Sequence, residues 1–203
     1  MVRRYGIPPD GMNLLTIAEL TRELADMADG PEREGSPVPV RRRALGTARF
    51  DVALITPARC PRSHATGLAA LFRRAGFTVT EFRVPDDAAA APDPKELDEA
   101  RAAIVVVADG VPLTGRWFWW ALGRASAVTR RQAFLPLPRH DDARRVGEFR
   151  PRIPRPILDL PYIGRSRAVG EEVDSLWVVP PGAPPETRDA VNLEYWISQR
   201  SGS

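Results

Sequence analysis

A chain of 203 residues is long enough for one domain with a substantial core and some attached segments, and too short for two full domains. With 43% hydrophobic and 27% charged residues its composition excludes global disorder, and its net charge of +3 is small. The single cysteine, Cys60, excludes an internal disulfide framework and a cysteine-based zinc cluster.

The opening "MVRRYGIPPDG" has no apolar run after its arginines, as a secretory signal would need. No stretch approaches the roughly 20 apolar residues that span a bilayer. These features and the lone thiol lead to the expectation of a soluble, cytoplasmic protein without membrane contact.

In chain order, "TIAELTRELADMA" (16–28) places Thr16 and Glu19 in capping-box spacing, and Ile17, Leu20, Leu24 and Met27 form one apolar stripe. A helix is expected there, docked on its own domain, with a partner or self-association surface as the alternative. Residues 29–47, "DGPEREGSPVPVRRRALGT", have the composition of a solvated linker, and the boundary is placed in it. The triplet Arg41 to Arg43 reads as part of that linker rather than as a nucleic-acid arm.

From Arg49 the pattern alternates between strand and helix. "FDVALIT" (50–56) is a strand, "PARCPRS" a polar loop, and "HATGLAALFRRAG" a helix with Ser63 as its N-cap and Gly76 as its terminator. "FTVTEFRV" (77–84) alternates with period two, "PDDAAAAPDP" (85–94) is a long flexible loop and "KELDEAR" a short helix. "AAIVVVAD" is apolar throughout, as a central parallel strand is. A helix bearing Trp117, Phe118, Trp119 and Trp120 follows, then a strand at "QAFLPLP" (132–138).

Beyond it, Leu176 to Val179 is a strand candidate, and a helix-like segment runs from Thr187 through Trp196, of which Asn192 to Ser198 could dock on the sheet edge or on a partner. The expected fold is α/β, a flavodoxin-like three-layer sandwich around a parallel sheet of about five strands, with ligand loops at the carboxyl ends of the strands. The chain then divides into an N-terminal helix and linker (1–47), the main domain (48–167) and a C-terminal extension packed on it (168–203).

The tryptophan helix has at least two apolar faces. It reads as a helix held between the sheet and a neighbouring N- or C-terminal segment, with an assembly face as the alternative. Base stacking fits less well, because such platforms interleave aromatic with basic residues on strands or loops.

The order of these pieces resembles a Toll/interleukin-1 receptor (TIR) domain. "RFDVALITPA" is similar to its opening strand, and "LAALFRRAGFTVTEFRVPDD" to its first helix, second strand and following loop. "ELDEARAAIVVVADGVPLTGRWFWWALGRA" resembles the family's most recognisable stretch. "QAFLPLPRHDD" and "IPRPILDLPYIGRS" look like later strands of the bacterial pattern, so the resemblance covers about residues 48–167.

Many such domains cleave the nicotinamide glycosidic bond of NAD with a glutamate four residues after the helix tryptophan, while others only assemble to pass a signal. Counted from Trp117, the glutamate position here is Ala121. The resemblance therefore implies a signalling, assembly or nucleotide-sensing protein without catalysis, in a setting such as bacterial defence, with a protein partner or self-association.

Nucleotide contacts are expected from Thr56, Arg59, Arg62 and Trp117, where arginines can hold phosphates bidentately. NAD is then a ligand rather than a resident cofactor. The alternative is an NAD glycohydrolase with a relocated carboxylate, because that chemistry needs a charge to stabilise the departing nicotinamide's partner. Asp109 is the first candidate for that carboxylate, with Asp86 and Asp87 in the second loop. A third reading is a nucleic-acid module using the eight arginines between Arg139 and Arg167.

Other chemistries find no support. Ser63 and His64 are sequence neighbours without a glycine elbow. Cys60 lacks a family signature around it, whether paired with His64 or His140. Two isolated histidines do not make a metal site, and no GxGxxG or GxxxxGK[ST] loop is present.

Overall fold

The computed structural model describes residues 13–29, 48–129, 131–139, 153–166, 175–183 and 189–199. The linker with Arg41 to Arg43, His140 and most of the arginine-rich stretch lie outside the described residues.

Seven strands form one sheet, in the order β2-β1-β3-β4-β5-β6-β7. They are β1 (Phe50–Thr56), β2 (Val79–Arg83), β3 (Ala100–Ala108), β4 (Gln132–Leu137), β5 (Tyr162–Ser166), β6 (Ser175–Val179) and β7 (Val191–Asn192). The first five run parallel, with Val52 beside Val79 and Val105 beside Phe134. The α/β three-layer sandwich is therefore present, but the sheet has seven strands rather than about five. The C-terminal extension supplies the additional pair, which closes the β5 edge in antiparallel sense: Gly164 faces Trp177, and Trp177 faces Asn192.

Six helices accompany the sheet among the described residues: α1 (Ile17–Asp29), α2 (Arg62–Arg74), α3 (Lys95–Asp98), α4 (Arg116–Val128), α5 (Arg155–Leu158) and α6 (Leu193–Ser198). Because side chains alternate across a strand, β1 serves both faces. Val52 and Leu54 join a core with Leu20 of α1, Leu68 and Phe72 of α2, and Leu193 and Ile197 of α6. Ala53 and Ile55 join the opposite core with Leu97 of α3, Phe118, Ala121 and Ala125 of α4, and Ile157 of α5.

The capping box of α1 forms, with the Glu19 amide donating to Thr16 Oγ1 at 3.2 Å and the Thr16 amide donating to Glu19 Oε2 at 2.9 Å. The helix docks on α2 so tightly that a Cβ on Gly67 would stand 2.9 Å from Cδ1 of both Leu20 and Leu24. It is also fastened to the far side of the sheet. Asn13 bridges Arg165 of β5, and Arg165 Nη2 donates to Glu19 Oε1 at 2.6 Å.

Three sequence expectations change. The N-cap of α2 is Pro61 rather than Ser63, and Ser63 lies in the first turn. Extended backbone at Pro61 (ψ 137°) hands the chain directly into a helix that begins at Arg62. Thr187 lies outside the described residues, and the helix-like segment expected from it to Trp196 is interrupted where Val191 and Asn192 pair with β6, so the last described helix starts at Leu193. Asn192 then caps it, its side chain accepting from the Glu194 amide at 3.0 Å.

The third change concerns the tryptophan helix. Among the described residues neither terminal helix covers α4, since α1 and α6 pack on the opposite face of the sheet, although Leu14 and Ala190 of the terminal segments join the core on its own face. Phe118, Ala121 and Ala125, at helical spacing, face the sheet. Trp117 and Trp120 lean toward the β2 side, edge to face with each other at 6.1 Å, and Trp120 packs 6.3 Å from Phe82. Trp119 is turned outward. Among the described residues, no helix is long and apolar enough to cross a membrane.

Candidate functional site

After β1 the chain crosses to β2 on one side, then returns to β3 on the other. Loops leaving the carboxyl ends of β1 and β3 therefore diverge, which opens a crevice at this point of a doubly wound sheet. A cleft of about 510 Å³ occupies that place. Pro57, Ala58 and Arg59 line it from the loop after β1, and Val84, Pro85, Asp86 and Asp87 from the loop after β2. Pro112, Thr114 and Gly115 line it from the segment that enters α4.

Each loop is held by a local turn and by contacts distant in sequence. In the first, the Cys60 amide donates to Pro57 O at 2.9 Å, and Arg83 Nη2 donates to Ala58 O at 2.9 Å and to Cys60 O at 2.6 Å. In the second, the Ala89 amide closes a turn on Asp86 O, and Ala89 O accepts from Trp117 Nε1 at 3.2 Å and from Arg116 Nη2 at 3.4 Å. Arg116 also stacks on the Trp117 ring, 4.6 Å from its centroid. The segment between β3 and α4 turns at Gly110 (φ 78°) and Gly115 (φ 101°), backbone that side-chain-bearing residues rarely adopt.

The charged groups of the cleft are exposed, and Arg59, Asp86 and Asp87 make no side-chain hydrogen bond or ion pair among the described residues. Such a set suits a ligand that carries an anionic group for the guanidinium and hydroxyl or cationic groups for the carboxylates. Thr114 adds a neutral hydroxyl.

Of the residues expected at the site, Arg59 lines the cleft. Thr56 lies beneath it, fully buried, its hydroxyl donating to Glu81 Oε1 at 2.8 Å. Arg62 is the exposed first residue of α2 and does not line the cleft. Trp117 stands behind the second loop, its indole N–H engaged by Ala89. Asp109 follows β3 on the β4 side, its amide donating to Leu137 O at 3.0 Å, and is not part of the lining. Asp86 and Asp87 are.

Ala121 has no exposed surface and packs in the sheet-facing core. Ala121, where the resemblance puts the glutamate of TIR domains, is not among the residues that line the cleft. Sequence reasoning missed Thr114, Gly115 and Arg83. The "TG" at 114–115, ahead of Arg116 and the tryptophans, was a legible turn signal. Nothing local marked Arg83.

Burial pushes the Cys60 thiol up to about 11; nearby Arg83 opposes the rise and Glu81 adds to it. A nucleophilic cysteine needs the opposite shift. Burial lowers the His64 pKa, so its imidazole is neutral at pH 7, and its Nδ1 has no hydrogen-bond partner among the described residues. No group of three or more potential metal ligands occurs among the described residues. A second, shallower hollow of about 290 Å³ lies at the amino ends of β1 and β2, between Arg49, Phe50, Arg73 and Phe77, away from the ligand end of a parallel sheet. No protein-family model matches the chain, and no curated protein matches it significantly.

Proposed function

We propose that the chain is a TIR-like, nucleotide-sensing module that binds a ribose-bearing phosphate ester such as NAD in the cleft at the carboxyl ends of β1 to β3, without breaking its glycosidic bond. The observation that carries this reading is the set of charges on that cleft that have no partner among the described residues. Arg59 takes the diphosphate, and Asp86 and Asp87 accept from ribose hydroxyls. The burial of Ala121 supports the absence of cleavage by the family's route, because residue 121 offers the cleft no carboxylate. Ligand binding is then read out by a change in self-association or in the hold on a protein partner.

Calorimetric titration with NAD and with ADP-ribose tests this reading, with Arg59→Ala and Asp87→Asn alongside. Each variant is expected to bind about tenfold more weakly, the scale of one lost hydrogen bond to a charged group. Absence of binding by the wild-type protein to either nucleotide overturns the proposal.

A second reading is favoured by the same two aspartates: an NAD glycohydrolase in which Asp86 or Asp87 supplies the carboxylate, with Asp109 off the cleft. Nicotinamide release at high protein concentration that disappears in Asp87→Asn and Asp86→Asn, but not in Asp109→Asn, would establish it.

A further inference from the structure

Arg59 is an exposed side chain without a described partner, so its usefulness to a ligand depends on how firmly its backbone is held. That backbone is held from outside the loop. Arg83, the last residue of edge strand β2, is the register partner of Thr56, the last residue of β1. It therefore stands where β1 turns into the Arg59 loop. Its Nη2 donates to Ala58 O at 2.9 Å and to Cys60 O at 2.6 Å, the carbonyls on either side of Arg59.

The guanidinium is steadied in turn. Glu81 Oε1 lies 3.6 Å from Arg83 Nη1, and the same oxygen accepts from the buried Thr56 hydroxyl. Both bonds come from one nitrogen, Nη2, whose two N–H groups the planar guanidinium holds in fixed directions, whereas the ammonium of lysine sits on a mobile stem.

We propose that Arg83 is the positioning residue of the cleft: it clamps the backbone on both sides of Arg59 and thereby sets how Arg59 meets the anionic part of a ligand. The inference rests on the nucleotide reading for its ligand, but the clamp itself can be read without one. Cys60 is the chain's single cysteine, is 1% exposed, and contributes one of the clamped carbonyls. Its rate of reaction with a disulfide reagent such as DTNB therefore reports opening of this loop.

The experiment compares wild type, Arg83→Met, Arg83→Lys, Arg59→Ala and the Arg59→Ala/Arg83→Met double variant. It measures thermal midpoint, Cys60 labelling rate and affinity for ADP-ribose. Arg83→Met is expected to label about tenfold faster and to bind about tenfold more weakly, equivalent to ~1.4 kcal/mol. Arg83→Lys, which keeps the cation but loses the planar guanidinium that fixes its donors, restores part of both and stays folded should the methionine variant fail to. Added to Arg59→Ala, the Arg83→Met change costs no further affinity, because it acts through Arg59.

Labelling in Arg83→Met at the wild-type rate, or losses that add in the double variant, overturns the proposal. If wild type binds no ADP-ribose, the nucleotide reading falls, while the labelling rates still decide whether Arg83 holds the loop.

Discussion

Asp87 rests against the backbone of Gly115: a Cβ placed on that glycine would lie 2.7 Å from Asp87 Oδ1 and 3.1 Å from its Cγ. The second loop of the cleft and the entrance to α4 therefore fit together only because residue 115 has no side chain.

Gly115→Ala is expected to lose stability twice over, by placing a Cβ at φ 101° and by displacing Asp87. The backbone part is ~1 to 3 kcal/mol. Gly76 is the natural control, since its φ is 91° but a Cβ there meets nothing within 4 Å. Urea denaturation should show Gly115→Ala to be more damaging than Gly76→Ala, and Asp87→Ala should relieve the excess. Equal losses at the two glycines would mean that the Asp87 contact carries no strain.

Ala121→Glu introduces the residue type that TIR domains carry at the position this one resembles, but buries a carboxylate among Phe118, Ala125 and the sheet. A loss of ~3 kcal/mol or more is expected in chemical denaturation, with no gain of nicotinamide release. A variant as stable as wild type would place residue 121 outside the core.

The raised Cys60 pKa gives the protein an alkaline weakness. The thiol has a pKa of about 11 when folded, against an ordinary value of 9.0. Between these values the unfolded chain releases a proton that the folded chain retains, so stability is full below pH 9 and falls as pH rises toward 11. The total is ~2 to 3 kcal/mol. Urea midpoints at pH 8 and pH 10 should differ in wild type and differ less in Cys60→Ala; an equal drop in both would assign the effect to other groups.

The α1–α2 contact should discriminate by size. Gly67→Ala meets Cδ1 of Leu20 and Leu24 at 2.9 Å and Leu20 Cγ at 3.0 Å, side-chain atoms that must shift, and it gains about 1 kcal/mol of helix propensity in return, so it should be close to neutral. Gly67→Leu cannot be accommodated and should cost ~1 to 3 kcal/mol by prising α1 from α2. Thermal melts of the pair check this, and equal effects would argue that α1 is not seated on Gly67.

What the sequence made legible was local. Thr16 and Glu19 announce their capping box within one turn, and "FDVALIT" and "AAIVVVAD" state their burial in their own composition. The two additional strands were harder to foresee. Leu176 to Val179 is an apolar run, but its partnership with β5 depends on a reversal of direction that no short pattern encodes. Ser63 misled because a capping side chain is a common way to start a helix, and Pro61 starts this one without it.

The site divides along the same line. Arg59, Asp86 and Asp87 could be placed because they follow strands, and strand ends are where ligand loops belong. The work of Trp117 and Arg83 could not be placed, because each acts on a carbonyl far along the chain: Ala89 is 28 residues from Trp117, and Ala58 is 25 from Arg83. The resemblance put Trp117 among the nucleotide contacts, whereas its indole N–H is a strut for the neighbouring loop.

The fastening of α1 also imposes a timetable on biosynthesis. Its groove against Gly67 exists as soon as α2 has emerged, but Ile17 bonds to Pro138, and Glu19 reaches Arg165 across 146 residues. α1, the first of the described helices, is thus not fully tied down until β5 has been made, and until then its apolar stripe waits on a half-built sheet. A nascent chain stalled before residue 165 should carry that helix loosely docked and open to chaperones or proteases.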